Sequence, residues 1–203
     1  MKITAIKQQV KNPERVSMFV DGKYEFSLSL DELLQQGLKN GQELDKAAVK
    51  KLKKISADGK LRARTLEWLL NRPHSTRELR DYLYRKKAEP EMIESLVNEF
   101  TEKGYLDDAK FAVWFADLQK RRGKSNRAVR SEMLKKGIAR ELADEVLAGA
   151  PDDEEARLKQ VIEKKRRLAR YRDDRQKLAK YLTSQGFDWQ QVKRLVLSDE
   201  PEV

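Results

Sequence analysis

The residues best suited to chemistry in this chain are arginines and lysines around two copies of one short pattern. The segments NRPHSTRELRDYL (71–83) and KRRGKSNRAVRSEM (120–133) match when they are aligned at an offset of 50. The matched residues include two arginine pairs and one serine pair: Arg72 with Arg122, Arg77 with Arg127, and Ser75 with Ser125. Serine is a preferred helix N-cap, and the free amides of a helix start attract anions. The pattern therefore predicts binding to a polyanion or an acidic protein surface.

Basic residues are densest in two stretches that occupy equivalent positions of the pattern. The first contains Lys120, Arg121, Arg122, Lys124, Arg127 and Arg130. The second contains Lys164, Lys165, Arg166, Arg167, Arg170, Arg172 and Arg175. Because the chain has a net charge of +10, we expect these clusters, with Arg72 and Arg77, to form a stripe that contacts an extended acidic ligand. The alternative is a solvated face whose charges keep the protein in solution.

Catalytic and metal chemistry have few candidates. The sequence contains no cysteine, which excludes disulfides, thiolate zinc sites and cysteine nucleophiles. The single histidine, His74, follows a proline and is predicted to lie in a solvated loop. The acidic pairs Asp107-Asp108 and Asp152-Asp153 fall where helices need N-caps. We therefore predict a protein with no enzymatic activity, no cofactor and no metal.

Residues 1–60 differ in pattern from the rest of the chain. Three short runs rich in β-branched and aromatic residues predict an antiparallel sheet, and Asp21-Gly22 predicts a tight hairpin between the second and third strands. Asp31 is expected to cap a short helix and Asp45 to begin another. The Ser56–Lys60 stretch, which contains Asp58-Gly59, is predicted to be a domain boundary.

From residue 61 onward the pattern is helical and repeats three times. Leu83, Met133 and Leu182 are equivalent anchors, and apolar residues keep the same phase around each of them. We predict three-helix repeats over residues 61–108, 109–150 and 151–203, which share a core by stacking into an elongated, curved array. The fold class is thus mostly α with a small N-terminal β segment. Ser75 and Glu78 are expected to form a capping box at the start of one helix.

The three tryptophans are candidates for either packing or base stacking. Trp68, Trp114 and Trp189 are predicted to pack in the repeats, and base stacking is the alternative.

The sequence has no apolar run of the length that a membrane span requires, so we expect a cytoplasmic protein with no membrane contact. The absence of a long apolar heptad favours a monomer.

Three motifs resemble the RecX family of bacterial regulators of the RecA recombinase. They are RPHSTRELRDYL (72–83), YLDDAKFAVW (105–114) and GKSNRAVRSEMLKKGI (123–138), in that order. The resemblance implies tandem three-helix repeats without enzymatic activity. It also implies binding along the groove of the RecA filament on single-stranded DNA, with inhibition of ATP hydrolysis, strand exchange and coprotease function. One departure is Lys86-Lys87-Ala88, where the family usually has a Lys-Gly-apolar turn.

Direct DNA binding through helix-turn-helix-like units is a second interpretation. The basic clusters and the three-helix pattern favour it. The helices lack the set of Arg, Asn and Gln residues with which proteins read base edges, which counts against it. An enzyme is a third interpretation, but its only candidate groups are the acidic pairs at expected helix caps.

Overall fold

A computed structural model describes residues 1–149 and 153–198. The described chain divides into two compact units, one made of residues 1–71 with 90–96 and the other of residues 72–89 with those from 97 onward. Asp152, one of the predicted capping residues, and residues 199–203 of the predicted third repeat lie outside the described residues.

The first unit begins with the predicted three-stranded antiparallel sheet. Strands β1 (Ile3–Gln9), β2 (Asn12–Val20) and β3 (Lys23–Ser29) lie in the order β1-β2-β3. Asp21 and Gly22 have φ values of 48° and 82°, and a tight hairpin turn needs such left-handed residues to match the twist of its strands. The hairpin prediction is confirmed.

Two helices cover one face of this sheet, α1 (Leu30–Gln35) and α2 (Lys46–Leu70). Their shared core contains Ile3, Val16, Met18, Val20, Phe26, Leu28, Leu44, Val49 and Leu52. The prediction that Asp31 caps α1 is wrong, because Ser29 is the N-cap and forms a capping box with Glu32. Asp45 caps α2 as predicted, accepting a hydrogen bond of 2.6 Å from the Ala48 amide.

The predicted boundary at Ser56–Lys60 does not interrupt the chain, since α2 continues through it to Leu70. Ser56 is buried against the sheet, and its hydroxyl donates a 2.6 Å hydrogen bond to the Ser27 carbonyl. A Cβ at Gly59 would collide with the Glu32 carboxylate. Gly59 therefore permits a close approach between two helices of this unit, which outweighs its low helix propensity.

The remaining elements are helical. They are α3 (Thr76–Arg85), α4 (Pro90–Glu102), α5 (Asp108–Arg121), α6 (Asn126–Lys135), α7 (Arg140–Ala148), α8 (Glu154–Arg166), α9 (Ala169–Arg172), α10 (Arg175–Ser184) and α11 (Trp189–Val192). The last helix continues as a π-helical turn over Lys193–Leu197. We call α5–α7 the second repeat and α8–α11 the third repeat. The third contains one short helix, α9, in addition to the three expected.

The three anchor residues occupy equivalent buried positions, as predicted. Leu83, Met133 and Leu182 are fully buried, each at the third position from the C-terminal end of α3, α6 and α10. The residues four positions earlier, Leu79, Val129 and Leu178, are fully buried too. This spacing of four places both residues of each pair on one helix face.

The second and third repeats have separate apolar cores, which differs from the expected shared core. In the second repeat, Phe111, Phe115 and Met133 belong to a cluster contributed by α5, α6 and α7. In the third, Leu158, Leu182 and Val196 belong to another. Trp114 packs against the first cluster, whereas the prediction that Trp189 packs inward is wrong, because 46% of it is exposed.

Truncating Leu83 to alanine should lower the free energy of unfolding by about 2–5 kcal/mol, the usual cost of removing a buried leucine side chain. The neighbouring Tyr84 is 60% exposed on the same helix, so Tyr84→Ala is a matched control that should cost less than about 1 kcal/mol. Urea unfolding of both variants measures the difference. Equal destabilisation would contradict the burial of the anchor.

Candidate functional site

The two basic helix starts found in the sequence lie where successive repeats meet. Ser75 caps α3 and Ser125 caps α6, each accepting a hydrogen bond from the amide three residues later, and both serines are fully buried. The Ser75 hydroxyl donates a 2.8 Å hydrogen bond to the Lys136 carbonyl of the second repeat. The Ser125 amide donates a 3.1 Å hydrogen bond to the Gln185 carbonyl of the third. We call these contacts the first and second joints.

Each joint also supplies a carboxylate from the following repeat to the first amide of the helix. The Thr76 amide donates to Asp108 Oδ1 at 2.7 Å, and the Asn126 amide donates to Glu154 Oε2 at 2.7 Å. The opening amides of a helix have no partner within the helix. The next repeat therefore satisfies partly buried donors that the helix itself cannot satisfy.

Two of the acidic residues that the sequence predicted at helix caps, Asp107 and Asp153, do lie there. Asp107 caps α5 with hydrogen bonds of 2.9 and 3.0 Å from the Ala109 and Lys110 amides. The backbone hydrogen bond from Lys110 is the main cause that lowers the pKa of Asp107. Asp153 caps α8. Both carboxylates of the Asp107-Asp108 pair thus bind helix amides, in the manner of structural caps.

The glycines that follow α6 and α10 are explained by the same joints. Gly137 and Gly186 follow α6 and α10 with φ values of 83° and 94°. A Cβ at Gly137 would lie 2.7 Å from the Arg77 Cβ, and one at Gly186 would lie 2.7 Å from the Ala128 Cβ. The equivalent residue after α3 is Lys87, which is exposed and tolerates a φ of 59°. Glycine is thus present where this turn packs on a preceding repeat, and lysine where the turn faces solvent.

A charged cluster at the first joint was not predicted. The Glu78 carboxylate, partly buried on α3, binds Arg72 at 2.9 Å, His74 Nδ1 at 3.1 Å and Lys136 Nζ at 2.7 Å. The expected capping box is therefore wrong, because Glu78 binds these side chains and not the Ser75 amide. His74 is buried, and so its expected place in a solvated loop is also wrong.

The electrostatics of this cluster favour an ionised Glu78. Burial alone would raise its pKa, but hydrogen bonds from His74, Arg72 and Lys136 together hold the pKa of the carboxyl far below its ordinary value. The Arg72 guanidinium also lies 5.2 Å from the centre of the Trp114 ring, within the range of a cation–π contact. Arg72 therefore acts in the joint, while its side chain remains 37% exposed.

Arg157 holds the second joint and was missed by the sequence reasoning. Its side chain is 11% exposed. It donates to the Lys124 carbonyl at 3.0 Å and to Asn126 Oδ1 at 3.1 Å. Its spacing on α8 resembles that of any surface arginine, so no local signal distinguishes it.

Many of the predicted basic residues have intramolecular partners. Ion pairs join Arg121 with Asp117, Lys124 with Glu132, Arg130 with Asp144, and Arg167 with Glu163. Lys165 lies over the Tyr181 ring, Arg170 lies over the Tyr171 ring, and Arg172 donates to the Arg167 carbonyl. Arg175 begins α10 and is exposed. Exposed ion pairs hold side chains only weakly, so these residues keep much of their positive field.

A smaller set is exposed and makes no ion pair within the described part of the chain: Arg77, Arg122, Arg127, Lys164 and Arg166. Three of them, Arg77, Arg122 and Arg127, lie beside the two joints. The equivalent serines are buried while the arginines around them face water. The repeated pattern thus combines a structural contact with an exposed charge.

Lys120 and Arg121 of the first basic cluster and Lys164 of the second line one groove of about 480 Å³. Its walls are the end of α5 and one side of α8, and its lining residues are Lys120, Arg121, Gly123, Asp153, Arg157, Gln160, Val161 and Lys164. Gly123 permits this approach, since a Cβ there would lie 2.7 Å from Val161 Cγ2. Four basic groups and one acidic group face the same space, which suits a phosphate or carboxylate ligand.

Other kinds of site find no support in the described residues. Within residues 1–149 and 153–198, no group of three or more acidic or histidine side chains could hold a metal ion. Over the same residues, every helix is too short or too polar to cross a membrane.

The sequence of this chain is similar to those of several regulatory proteins. Regulatory protein RecX of Lactobacillus johnsonii is 31% identical over 200 residues, which cover 96% of this chain and 73% of that protein. The chain belongs to the RecX family. Regulatory protein RecX of Listeria welshimeri is 32% identical over 154 residues, 75% of this chain, and the match spans 57% of that protein's length.

Family models match two parts of this RecX chain. The RecX N-terminal domain matches residues 1–45, and the second three-helix domain of RecX matches residues 107–147. These ranges contain the sheet and the α5–α7 repeat.

Two solved structures have the same fold as this RecX chain. A crystal structure of regulatory protein RecX has a TM-score of 0.69 at 24% identity, covering 97% of this chain and 98% of that one. RecX from Lactobacillus salivarius has a TM-score of 0.55 at 19% identity, covering 69% of this chain and 94% of that one. At these identities the likeness establishes the fold alone.

Substituting Gly137 by alanine tests the close approach at the first joint. Gly104 is a matched control, because its φ is 70° and nothing lies within 4 Å of the position of its Cβ. Gly104→Ala should cost about 1 kcal/mol, from the left-handed backbone alone. Gly137→Ala should cost at least about 1 kcal/mol more, because its Cβ also meets Arg77. Thermal unfolding of both variants gives the difference, and equal values would mean that the turn does not pack on α3.

Replacing Glu78 by glutamine tests the charged cluster. At pH 7 the change should cost about 1.5–3 kcal/mol, the range for hydrogen bonds to a charged group. Because the folded-state pKa of Glu78 is below the ordinary value of 4.5, ionisation stabilises the fold fully above pH 4.5. That stabilisation is lost as the pH falls below 4.5 and through the lower folded pKa. The difference in the free energy of unfolding between the wild type and Glu78→Gln should therefore become smaller in acid.

The control for this change is Glu163→Gln, which breaks an exposed pair with Arg167 and should cost less than about 0.5 kcal/mol. Urea unfolding at several pH values measures both. If the loss of unfolding free energy caused by Glu78→Gln were the same in acid as at pH 7, the result would contradict the account of its ionisation.

Proposed function

We propose that this chain is a regulatory binding protein that acts on the RecA filament assembled on single-stranded DNA. It inhibits ATP hydrolysis, strand exchange and coprotease function of that filament by occupying it, and it performs no chemistry of its own. Membership of the RecX family supports the regulatory role. The observation that carries the proposal on this chain is the basic groove between α5 and α8.

The groove suits a polyanionic filament because charges from distant parts of the sequence converge in it. Lys120 and Arg121 end α5, where positive charge also complements the helix dipole. Lys164 approaches from α8. Asp153, the one acidic residue among the described residues of the lining, has one carboxylate oxygen bound to the Ala156 amide at 2.8 Å. A phosphate entering the groove therefore meets an excess of positive charge.

Several exposed arginines extend this surface beyond the groove. Arg77 flanks the first joint, and Arg122 and Arg127 flank the second. We propose that repeats over residues 61–108, 109–150 and 151–203 each contribute contacts to neighbouring subunits or phosphates of the filament. Contacts linked in this way add through effective concentration, so one monomer affects several RecA subunits.

Direct DNA binding is the second candidate, and the same groove favours it. A groove that neutralises phosphates binds DNA with or without RecA. The two functions differ in whether inhibition of the filament follows affinity for naked single-stranded DNA.

Changing Lys120, Arg121 and Lys164 together to alanine should raise the concentration that half-inhibits RecA ATP hydrolysis at least about tenfold. The slope of log affinity against log salt should flatten by about 2, since each phosphate contact with a single strand contributes roughly 0.7. The measurement is a titration of RecA ATPase on single-stranded DNA at several salt concentrations.

A variant with Lys50, Lys51 and Lys54 changed to alanine is the matched control, because it removes three exposed positive charges from α2. It should inhibit like the wild type. If both triple variants lost inhibition of RecA ATP hydrolysis equally, the effect would be one of net charge, and the proposed role of the groove would be refuted. Loss of binding to naked DNA in proportion to the loss of inhibition would favour the second candidate.

A further inference from the structure

The N-terminal sheet has one covered face and one face with an exposed aromatic ring, Tyr24. Val16, Met18 and Val20 of β2 point into the core with α1 and α2. Successive residues of a strand point to opposite faces, and cross-strand partners point to the same face. The register pairs Phe19 with Ala5 and Tyr24, and Ser17 with Lys7. These residues therefore lie together on the outer face.

Two rings dominate this outer face. Phe19 and Tyr24 meet edge to face, with centroids 6.1 Å apart and an interplanar angle of 77°. Tyr24 is 51% exposed. A cross-strand aromatic pair stabilises a sheet by itself, but that contact needs only the ring edges and leaves half of Tyr24 in water. The exposed ring face is available to stack on a planar group.

The charges on this face are positive. Lys7 Nζ lies 5.2 Å from the centre of the Phe19 ring. Arg15 occupies the same face farther along β2, and one of its nitrogens donates to the Ser27 carbonyl at 2.9 Å. The nearby acidic residue, Glu25, pairs with Lys53 of α2 at 2.9 Å. An exposed ring beside two cations suits a ligand that alternates planar groups with anions.

We propose that the outer face of the N-terminal sheet binds single-stranded DNA. A base stacks on Tyr24, which Phe19 supports from the side, while Lys7 and Arg15 contact the phosphates on either side. Stacking on an exposed ring tolerates any base and requires an unpaired strand, so the site is indifferent to sequence and selective against duplex. The site shares no residue with the groove between α5 and α8 and requires no RecA, so its failure would leave the filament proposal standing.

The test is fluorescence anisotropy of a labelled oligo-dT with the full-length protein and no RecA. Tyr24→Thr keeps a good strand former but removes the ring, and it should weaken binding about 5- to 100-fold. Tyr24→Phe should bind like the wild type. Tyr84→Ala, which removes an exposed tyrosine from α3, should also bind like the wild type. Lys7→Gln should flatten the salt dependence, whereas Tyr24→Thr should leave its slope unchanged.

A second comparison separates stacking from charge. The wild type should bind an abasic strand of equal length more weakly than oligo-dT, and Tyr24→Thr should lose that difference. The proposal would be overturned if Tyr24→Thr bound oligo-dT as tightly as the wild type does. It would also be overturned if the wild type bound oligo-dT and the abasic strand equally well. Tighter binding of oligo-U than of oligo-dT would assign the face to RNA and overturn it as well.

Photocross-linking keeps the test decisive if Tyr24→Thr folds poorly. A bromouracil-substituted DNA strand should cross-link the wild-type protein at the peptide that contains Phe19 and Tyr24. Cross-links confined to other peptides would overturn the proposal.

Discussion

The helix starts at Ser75 and Ser125 impose the constraint on which the second unit depends. A helix leaves its first amides unpaired, and a buried amide without a partner costs about 1–3 kcal/mol. Ser75 and Ser125 are fully buried and the amides that follow them are partly buried, so these donors need acceptors from elsewhere in the chain. The next repeat provides a carboxylate, Asp108 or Glu154, at the first amide of each helix. Successive repeats are thus joined by polar groups that each repeat cannot satisfy alone.

This constraint explains the composition of the repeated pattern and the difference between its copies. Serine recurs because a small side chain caps the helix inside a buried contact. Glycine recurs at Gly137 and Gly186 because the turn packs on the preceding helix, and it is absent at Lys87, where the turn faces solvent. The separate apolar cores of the second and third repeats follow as well, since polar contacts occupy the joint between them. The arginines of the pattern remain at the rim of the joints, where a ligand can reach them.

The sequence predicted those features that local spacing determines. The hairpin at Asp21-Gly22, the buried anchors and the serine caps follow from turn chemistry, helical periodicity and capping preferences. The predictions failed where a distant residue changed the surroundings of a local one. Glu78 binds Lys136, 58 positions away, together with Arg72 and His74, and so it does not serve the expected capping box. At Gly59, inside the continuous α2, an added Cβ would meet the Glu32 carboxylate of α1.

The candidate binding surface was predictable in composition but not in arrangement. The basic clusters were evident from the sequence, whereas the meeting of residues from both clusters in one groove depends on how α8 packs beside α5.

The most direct test of the polar joints is native-state hydrogen exchange at the Thr76 and Asn126 amides. Arg140 is the internal reference, because it begins α7 without a side-chain cap. Thr76 and Asn126 should exchange on the order of 100-fold or more slowly than Arg140 after correction for intrinsic rates. Exchange as fast as that of Arg140 would contradict the account of the joints.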